Sequence, residues 1–182
     1  MSEMLTGDYL GMPLAVDAGD HANQAFFRAC SQGVFKVQKC GACALLWYPP
    51  STGCPHCGAA EFDWVAVEGR GTLYTYAVVP HAIQPSFRDH TPYLIAIVEL
   101  DTQSGVPNAD DGIRVAGNLV NTDGELASPN DIALIGIGSR MKMTFRSMGD
   151  GFAMPMWTLD QDAEQPDTVW RYPKASSSGP SG

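Results

Sequence analysis

Positive charge is scarce in this sequence: Lys and Arg number 11 against 20 Asp and Glu, a formal net charge of -9 at pH 7. A surface of that sign repels phosphate backbones instead of releasing counterions from them, which disfavours general nucleic-acid binding. No apolar run approaches the roughly 20 residues needed to cross a bilayer, so no membrane span is expected. The opening Met1-Ser2-Glu3-Met4 lacks the basic and apolar blocks of a secretory leader, and a cytoplasmic location is expected. Cysteine is sparse at 5 residues, an odd number with four in close pairs, unlike the scattered spacing of a secreted disulfide scaffold. The 182 residues, 45% of them apolar, suffice for one ordinary domain beside a small module and are too few for a large catalytic fold.

Residues 1–19 hold Gly7, Gly11, Pro13 and Gly19 without a sustained period and are expected to form an irregular arm. Asp20 then has the character of an N-cap, and Ala22, Ala25, Phe26, Ala29 and Cys30 recur at helical spacing up to Gly33. That apolar stripe packs either on its own domain or on another chain; helical spacing alone does not choose. Beyond residue 60 the pattern is β, with strand candidates at 62–68, 72–79, 93–100, 113–121, 140–147 and 152–159. Gly69-Arg70-Gly71 is read as a bend in one long first strand, Ser128-Pro129 as the start of a short helix, and Asp150-Gly151 as a tight hairpin. Three strands, a short helix and two further strands are in the order of a five-stranded OB-fold barrel.

Cys40-Gly41-Ala42-Cys43 and Cys54-Pro55-His56-Cys57-Gly58 are two Cys-x2-Cys pairs separated by 10 residues. Two such turns offer four thiolates to one tetrahedral ion, and the short connection holds too little apolar surface to fold unaided. Four sulfurs leave no coordination position for water, so the expected ion is structural Zn²⁺, with iron as the alternative that would make a one-electron centre. His56 reads as a turn residue and Cys30 as a small buried hydrophobe.

The segments "VFKVQKCGACALLWYPPSTGCPHCGAAEFDWVAVEGRGTLYTYAVV", "PYLIAIVELD", "IRVAGNLVN" and "DGFAMPMWTL" resemble the thiolase-associated proteins in which a rubredoxin-like zinc ribbon is joined to an OB-fold, long described as a domain of unknown function. The resemblance covers about residues 20–160 and rests on the knuckles, the Tyr-Pro-Pro after the first pair and the Gly-Arg-Gly before the first full strand. It implies a mostly β fold with helix and lead-in strand over 20–38, zinc ribbon over 39–60 and OB-fold over 61–160; the arm 1–19 departs from the family, and composition alone makes 161–182 a flexible polar tail whose last eight residues read as a vector-derived scar. It also implies a non-catalytic subunit of a hetero-oligomer, partnered by a thiolase-superfamily protein of thiolase or sterol side-chain aldolase type and sharing an acyl-CoA ligand with it. The segment 101–112 is longer than the family pattern.

Coenzyme A needs fixed positive charge, a stacking surface and an apolar channel. Arg140, Lys142 and Arg146 fall on one face of a strand, with Met141, Met143 and Phe145 on the other, and form the candidate basic stripe. The long connection 80–92 shows Phe87 and Arg88 as candidate contacts, with a plain connector as the other reading; its His81 and His90 have no recognisable nucleophile beside them. Tyr74 and Tyr76 either stack a base or pack ordinarily. Two other function classes stay open on the residues alone. One is a rubredoxin-like redox protein; the other is a single-stranded nucleic-acid-binding OB protein, which the charge opposes.

Overall fold

The computed structural model describes residues 3–172, so the expected scar at 175–182 lies outside the described residues. Ten strands and two helices build three sheets: β1 (Leu5–Tyr9), β2 (Met12–Val16), α1 (His21–Ser31), β3 (Lys36–Cys40), β4 (Leu46–Trp47), β5 (Phe62–Ala66), β6 (Arg70–Val79), β7 (Tyr93–Leu100), β8 (Arg114–Asn118), α2 (Pro129–Leu134), β9 (Arg140–Gly149) and β10 (Phe152–Leu159).

The barrel sheet has the order β10-β9-β6-β7-β8, every neighbour antiparallel. Leu119 and Trp157 close it through a parallel bridge, where the Val120 N–H donates to the Trp157 carbonyl at 2.8 Å. That circuit is the OB-fold barrel. Alternation fills the interior: Leu94, Ala96, Val98 and Leu100 all point inward from β7 and are fully buried. Trp157 crosses the middle and its indole N–H donates to the Val115 carbonyl at 3.1 Å, so the largest buried side chain leaves no orphan donor. Ser128 caps α2 in a reciprocal capping box with Asp131.

The segment 62–66 does not belong to the barrel, in contrast to the expected single bent strand. β5 pairs with β3 in the three-stranded order β4-β3-β5 of the ribbon, and the chain changes sheets at Gly69-Arg70-Gly71. Gly71 has no room for a side chain, since a Cβ there would stand 2.1 Å from the Glu99 carbonyl oxygen.

The α1 stripe is covered by its own chain. Asp20 caps the helix by accepting from the Asn23 N–H at 3.1 Å, and Phe26, Ala29 and Cys30 are buried. Phe26 meets Phe35 at 5.6 Å and Tyr48 at 5.5 Å between ring centroids, so one helix packs on the ribbon lead-in and on the barrel together. Gln103 of the long segment 101–112 ties the same two parts: its amide donates to the Leu46 carbonyl at 2.8 Å and accepts from the Leu46 N–H at 2.7 Å.

Residues 1–19 are not an irregular arm. β1 and β2 form a hairpin whose two-residue turn, Leu10-Gly11, takes positive φ at both positions as a type I′ turn requires. Its inward residues Leu5, Tyr9 and Val16 join a second core with Phe87, Met148, Phe152 and Met156. The polar start of the expected tail is also bound to the barrel: Gln165 donates to the Asp160 carbonyl at 2.8 Å, Trp170 pairs with Ile137, and Arg171 donates to the Ile135 carbonyl at 2.9 Å. Its hydrogen bonds go to main-chain donors and acceptors of β9 and of the ends of β10 and α2, a pairing that polarity in the sequence does not display.

The hairpin crosses β9 at Gly7, where a Cβ would sit 2.3 Å from the Met148 carbonyl oxygen. Gly7→Ala should therefore push the hairpin off the barrel and lower stability by about 1–3 kcal/mol. A chemical denaturation curve displaced to lower midpoint, with metal content unchanged, is the expected result.

Candidate metal centre

Two knuckles of opposite ends of the ribbon meet at one point. In the first, Cys40 closes β3, its N–H donates to the Leu45 carbonyl at 2.9 Å and the Ala44 N–H returns to the Cys40 carbonyl at 3.1 Å. In the second, the Cys54 N–H donates to the Ala59 carbonyl at 2.8 Å and the Gly58 N–H to the Cys54 carbonyl at 2.9 Å. Both turns thus curl the chain around a cysteine and aim main-chain N–H groups inward. The Cys40 sulfur accepts from Ala42 at 3.3 Å and from Cys43 at 3.4 Å. Those donors, that of Cys43 foremost, pull the Cys40 thiol down to about 6, favouring the thiolate form that binds metal.

All four sulfurs of Cys40, Cys43, Cys54 and Cys57 lie within 4.8 Å of one another. Cys40 and Cys57 are 3.6 Å apart and Cys43 and Cys54 3.7 Å apart. A disulfide needs about 2.05 Å, so these are not bonded pairs. Tetrahedral zinc with Zn–S near 2.3 Å has sulfur–sulfur edges of about 3.8 Å, and the observed spacings fit that cage. Around it Trp47 and Phe62 pack at 5.7 Å between centroids. The buried Gln38 amide fixes the adjoining loop by donating to the Ser51 carbonyl and accepting from the Ser51 N–H, both at 2.8 Å. His56 stands exposed in the second turn and contributes no atom to the cage. Cys30 is away from it in the core, where burial pushes its thiol up to about 12.

The expected ligand-contact residues are not gathered in one place. Arg140, Lys142 and Arg146 do share a face of β9, with Met141 and Met143 buried behind them. Each, however, has a carboxylate: Arg140 forks onto Asp101, Lys142 reaches Asp162 at 3.0 Å and Arg146 meets Glu125 at 3.3 Å. Arg140 holds the Asp101 carboxyl below the usual carboxylate range through that hydrogen bond. Phe87 is a correction: it is 8% exposed, not a surface contact, because its ring packs on Tyr93 at 4.8 Å and edge-on to Tyr9 at 5.4 Å. Arg88 beside it is exposed, as is His81, on the loop around the 3-10 turn Pro85–His90. Tyr74 lies under the Arg114 guanidinium at 3.9 Å, and Tyr76 packs on Tyr172 at 5.1 Å.

Two adjoining cavities of about 230 and 290 Å³ share Asn121, Thr122, Thr158, Leu159 and Gln161 at the barrel closure. The first has Leu119, Leu134 and Ile135 in its lining; the second ends at Lys142 and Asp162. Sequence reading missed this groove, because its lining comes from three separate loops and strands.

Family models match along most of this architecture: a ChsH2 rubredoxin-like zinc ribbon domain over residues 27–63 and a ChsH2 C-terminal OB-fold domain over residues 64–146. A DUF35 domain-containing scaffold protein of Methanocaldococcus jannaschii is 32% identical over 120 residues, covering 65% of this chain and 70% of that protein. The chain belongs to the ChsH2 (DUF35) family. A solved Ltp2-ChsH2(DUF35) aldolase chain aligns with a TM-score of 0.61 at 30% identity, covering 79% of this DUF35 chain and 98% of that one. A probable enoyl-CoA hydratase alpha subunit of Thermomonospora curvata is 38% identical over 98 residues, which is 54% of this chain but only 27% of that longer protein. As in the ChsH2 domain models, the ribbon ends near β5; the boundary at 63–64 falls within that strand.

Replacing Cys43 or Cys57 by Ser should abolish metal retention and loosen the ribbon, read as lost metal in elemental analysis and a lowered melting temperature. Unchanged metal content and melting would overturn the assignment of the cage.

Proposed function

We propose that this ChsH2-type chain is a non-catalytic accessory subunit of a thiolase-superfamily enzyme acting on acyl-CoA thioesters in the cytoplasm, with zinc as its structural ion. The observation that carries the reading is the closed four-sulfur cage. Every tetrahedral position is taken by protein sulfur, so the ion holds the ribbon and offers nothing to a substrate. The names of the relatives support it: scaffold protein, a chain in an Ltp2-ChsH2 aldolase, and the alpha subunit of a probable enoyl-CoA hydratase, a name pointing to acyl-CoA chemistry.

In this reading the chain works as part of a hetero-oligomer, and the partner supplies nucleophile and base. The groove at the barrel closure takes the extended, amide-bearing arm of the ester over its apolar floor, and the β9 stripe, reached through Lys142, receives the phosphates. Because each stripe cation already holds a carboxylate, a phosphate binds by exchanging with Asp101, Asp162 or Glu125. Binding by the chain alone is then weak, and it strengthens when a partner adds charge.

The test is purification of the chain from its host, identification of the bound subunit by mass spectrometry, and assay of that subunit with and without this chain. Loss of turnover on omission is expected; a partner fully active and stable alone would overturn the reading, as would thioester turnover by the isolated chain. Substituting Arg140, Lys142 and Arg146 together by Ser should weaken CoA-ester binding by the assembled complex while the barrel stays folded. Metal analysis that returns zinc and no visible absorbance separates this reading from a rubredoxin-like electron carrier.

A further inference from the structure

β6 is paired on both edges only in its first part. Arg70, Gly71 and Thr72 face Lys142, Met141 and Arg140 of β9, and Leu73 exchanges bonds with Ser139 and Gly138. Past a bulge between Leu73 and Thr75 the strand continues to Val79 against β7 alone. Among the described residues no strand covers its other edge.

The orientation of the main chain along that stretch follows from β7. The Leu94 carbonyl accepts from the Leu119 N–H at 3.0 Å, on the β8 side, so Ile95 and Ile97 turn their peptide groups toward β6. Their partners Ala77 and Thr75 are therefore the hydrogen-bonded positions, and Tyr76 and Val78 aim their N–H and C=O groups outward along the open edge. The strand's own side chains bring no charge to this edge, and Tyr172 lies against its first part, its N–H donating to the Tyr76 hydroxyl at 3.2 Å and its hydroxyl 3.2 Å from that of Thr75. From Tyr74 to Val79 it reads Tyr-Thr-Tyr-Ala-Val-Val, without the Lys, Pro or inward charge that usually blunts a strand edge. Val78 is 42% exposed although its cross-strand partner Leu94 is fully buried. Beside it runs an aromatic file: Tyr76 against Tyr172 at 5.1 Å and Tyr172 against Trp170 at 4.6 Å, with Trp170 53% exposed. Such half-exposed Tyr and Trp side chains are enriched where interfaces draw their energy.

We propose that the β6 edge from Tyr74 to Val79 is a strand-addition site that receives an extended, uncharged, apolar segment of the partner subunit. The inference rests on the accessory-subunit reading above and names the place where that subunit docks. Open main-chain donors and acceptors call for an extended backbone, the uncharged side chains from Thr75 to Val79 call for uncharged partners, and Tyr76, Tyr172 and Trp170 offer an aromatic surface beside it. Charge favours a different chain over a second copy: two copies each carry a net -9 and repel on approach, whereas a partner of other composition does not.

The test uses the full chain with the partner identified by co-purification. Val78→Pro removes the one donor that points off the edge at that position and costs no bond to β7, while Val78→Thr keeps the N–H with nearly the same shape. Titration calorimetry should show Val78→Pro weakening the complex by about tenfold or more and Val78→Thr leaving it within about twofold, both variants keeping melting temperature and metal content. In the unmodified chain, deuterium exchange at the Tyr76 and Val78 amides should slow when the partner binds. Equal affinity of Val78→Pro, or unslowed exchange at those amides, overturns the edge and leaves the subunit reading intact. Protection already present in the chain alone also overturns it, whether it rises with concentration, as in self-pairing, or vanishes on truncation after Tyr172. Failure to find any partner that depends on this chain overturns both.

Discussion

Four thiolates held within 4.8 Å of one another repel unless a cation lies among them. The ribbon has little else to close on: its own buried cluster is Cys40, Trp47 and Cys54 with a few half-buried neighbours, and two of those three are ligands. What a cation there would secure extends beyond the knuckles. Cys40 ends β3, β3 is the central strand that carries β4 and β5, and β5 hands the chain to the barrel at Gly69-Arg70-Gly71. Phe35 and Val37 on the way into β3 sit in the same core as Leu73, Met141 and Trp157. Ribbon and barrel are therefore one packed object.

Negative charge organises the remaining surface. Five of the 11 cations pair with acids of the same chain: Arg70 lies between Glu68 and the fully buried Asp160, Arg114 binds Glu99, and the β9 stripe is matched residue for residue by acids from three different loops. The result is a barrel whose basic side chains stitch loops to strands.

The features carried by local chemistry are legible in the sequence: the paired Cys-x2-Cys spacing, the Asp20 and Ser128 caps, the alternation in β7, and the Asp150-Gly151 hairpin. Features fixed by long-range pairing are not. The β1–β2 hairpin carried its signal in Leu5, Tyr9 and Val16 and in Gly11, but three glycines and a proline within 19 residues obscured the two-residue period. Phe87 looked like an exposed loop aromatic because the hairpin that buries it, through Tyr9, lies more than 70 residues away. The β9 stripe was correct as geometry, yet the acids that occupy it, Asp101, Glu125 and Asp162, stand in loops whose return to β9 no spacing rule encodes. Segment 62–66 was read into the barrel because alternation marks a strand without saying which sheet it joins.

The Gln103 contact with Leu46 has a consequence for how this molecule manages its sheet borders. A carboxamide presents one donor and one acceptor in the same plane as a peptide unit, so this side chain imitates a neighbouring strand one residue long. The outer rim of the two-residue β4 is thereby stoppered from within, by the loop 101–112. A glutamine in that place lets the ribbon end its hydrogen-bond ladder without lending it to strangers.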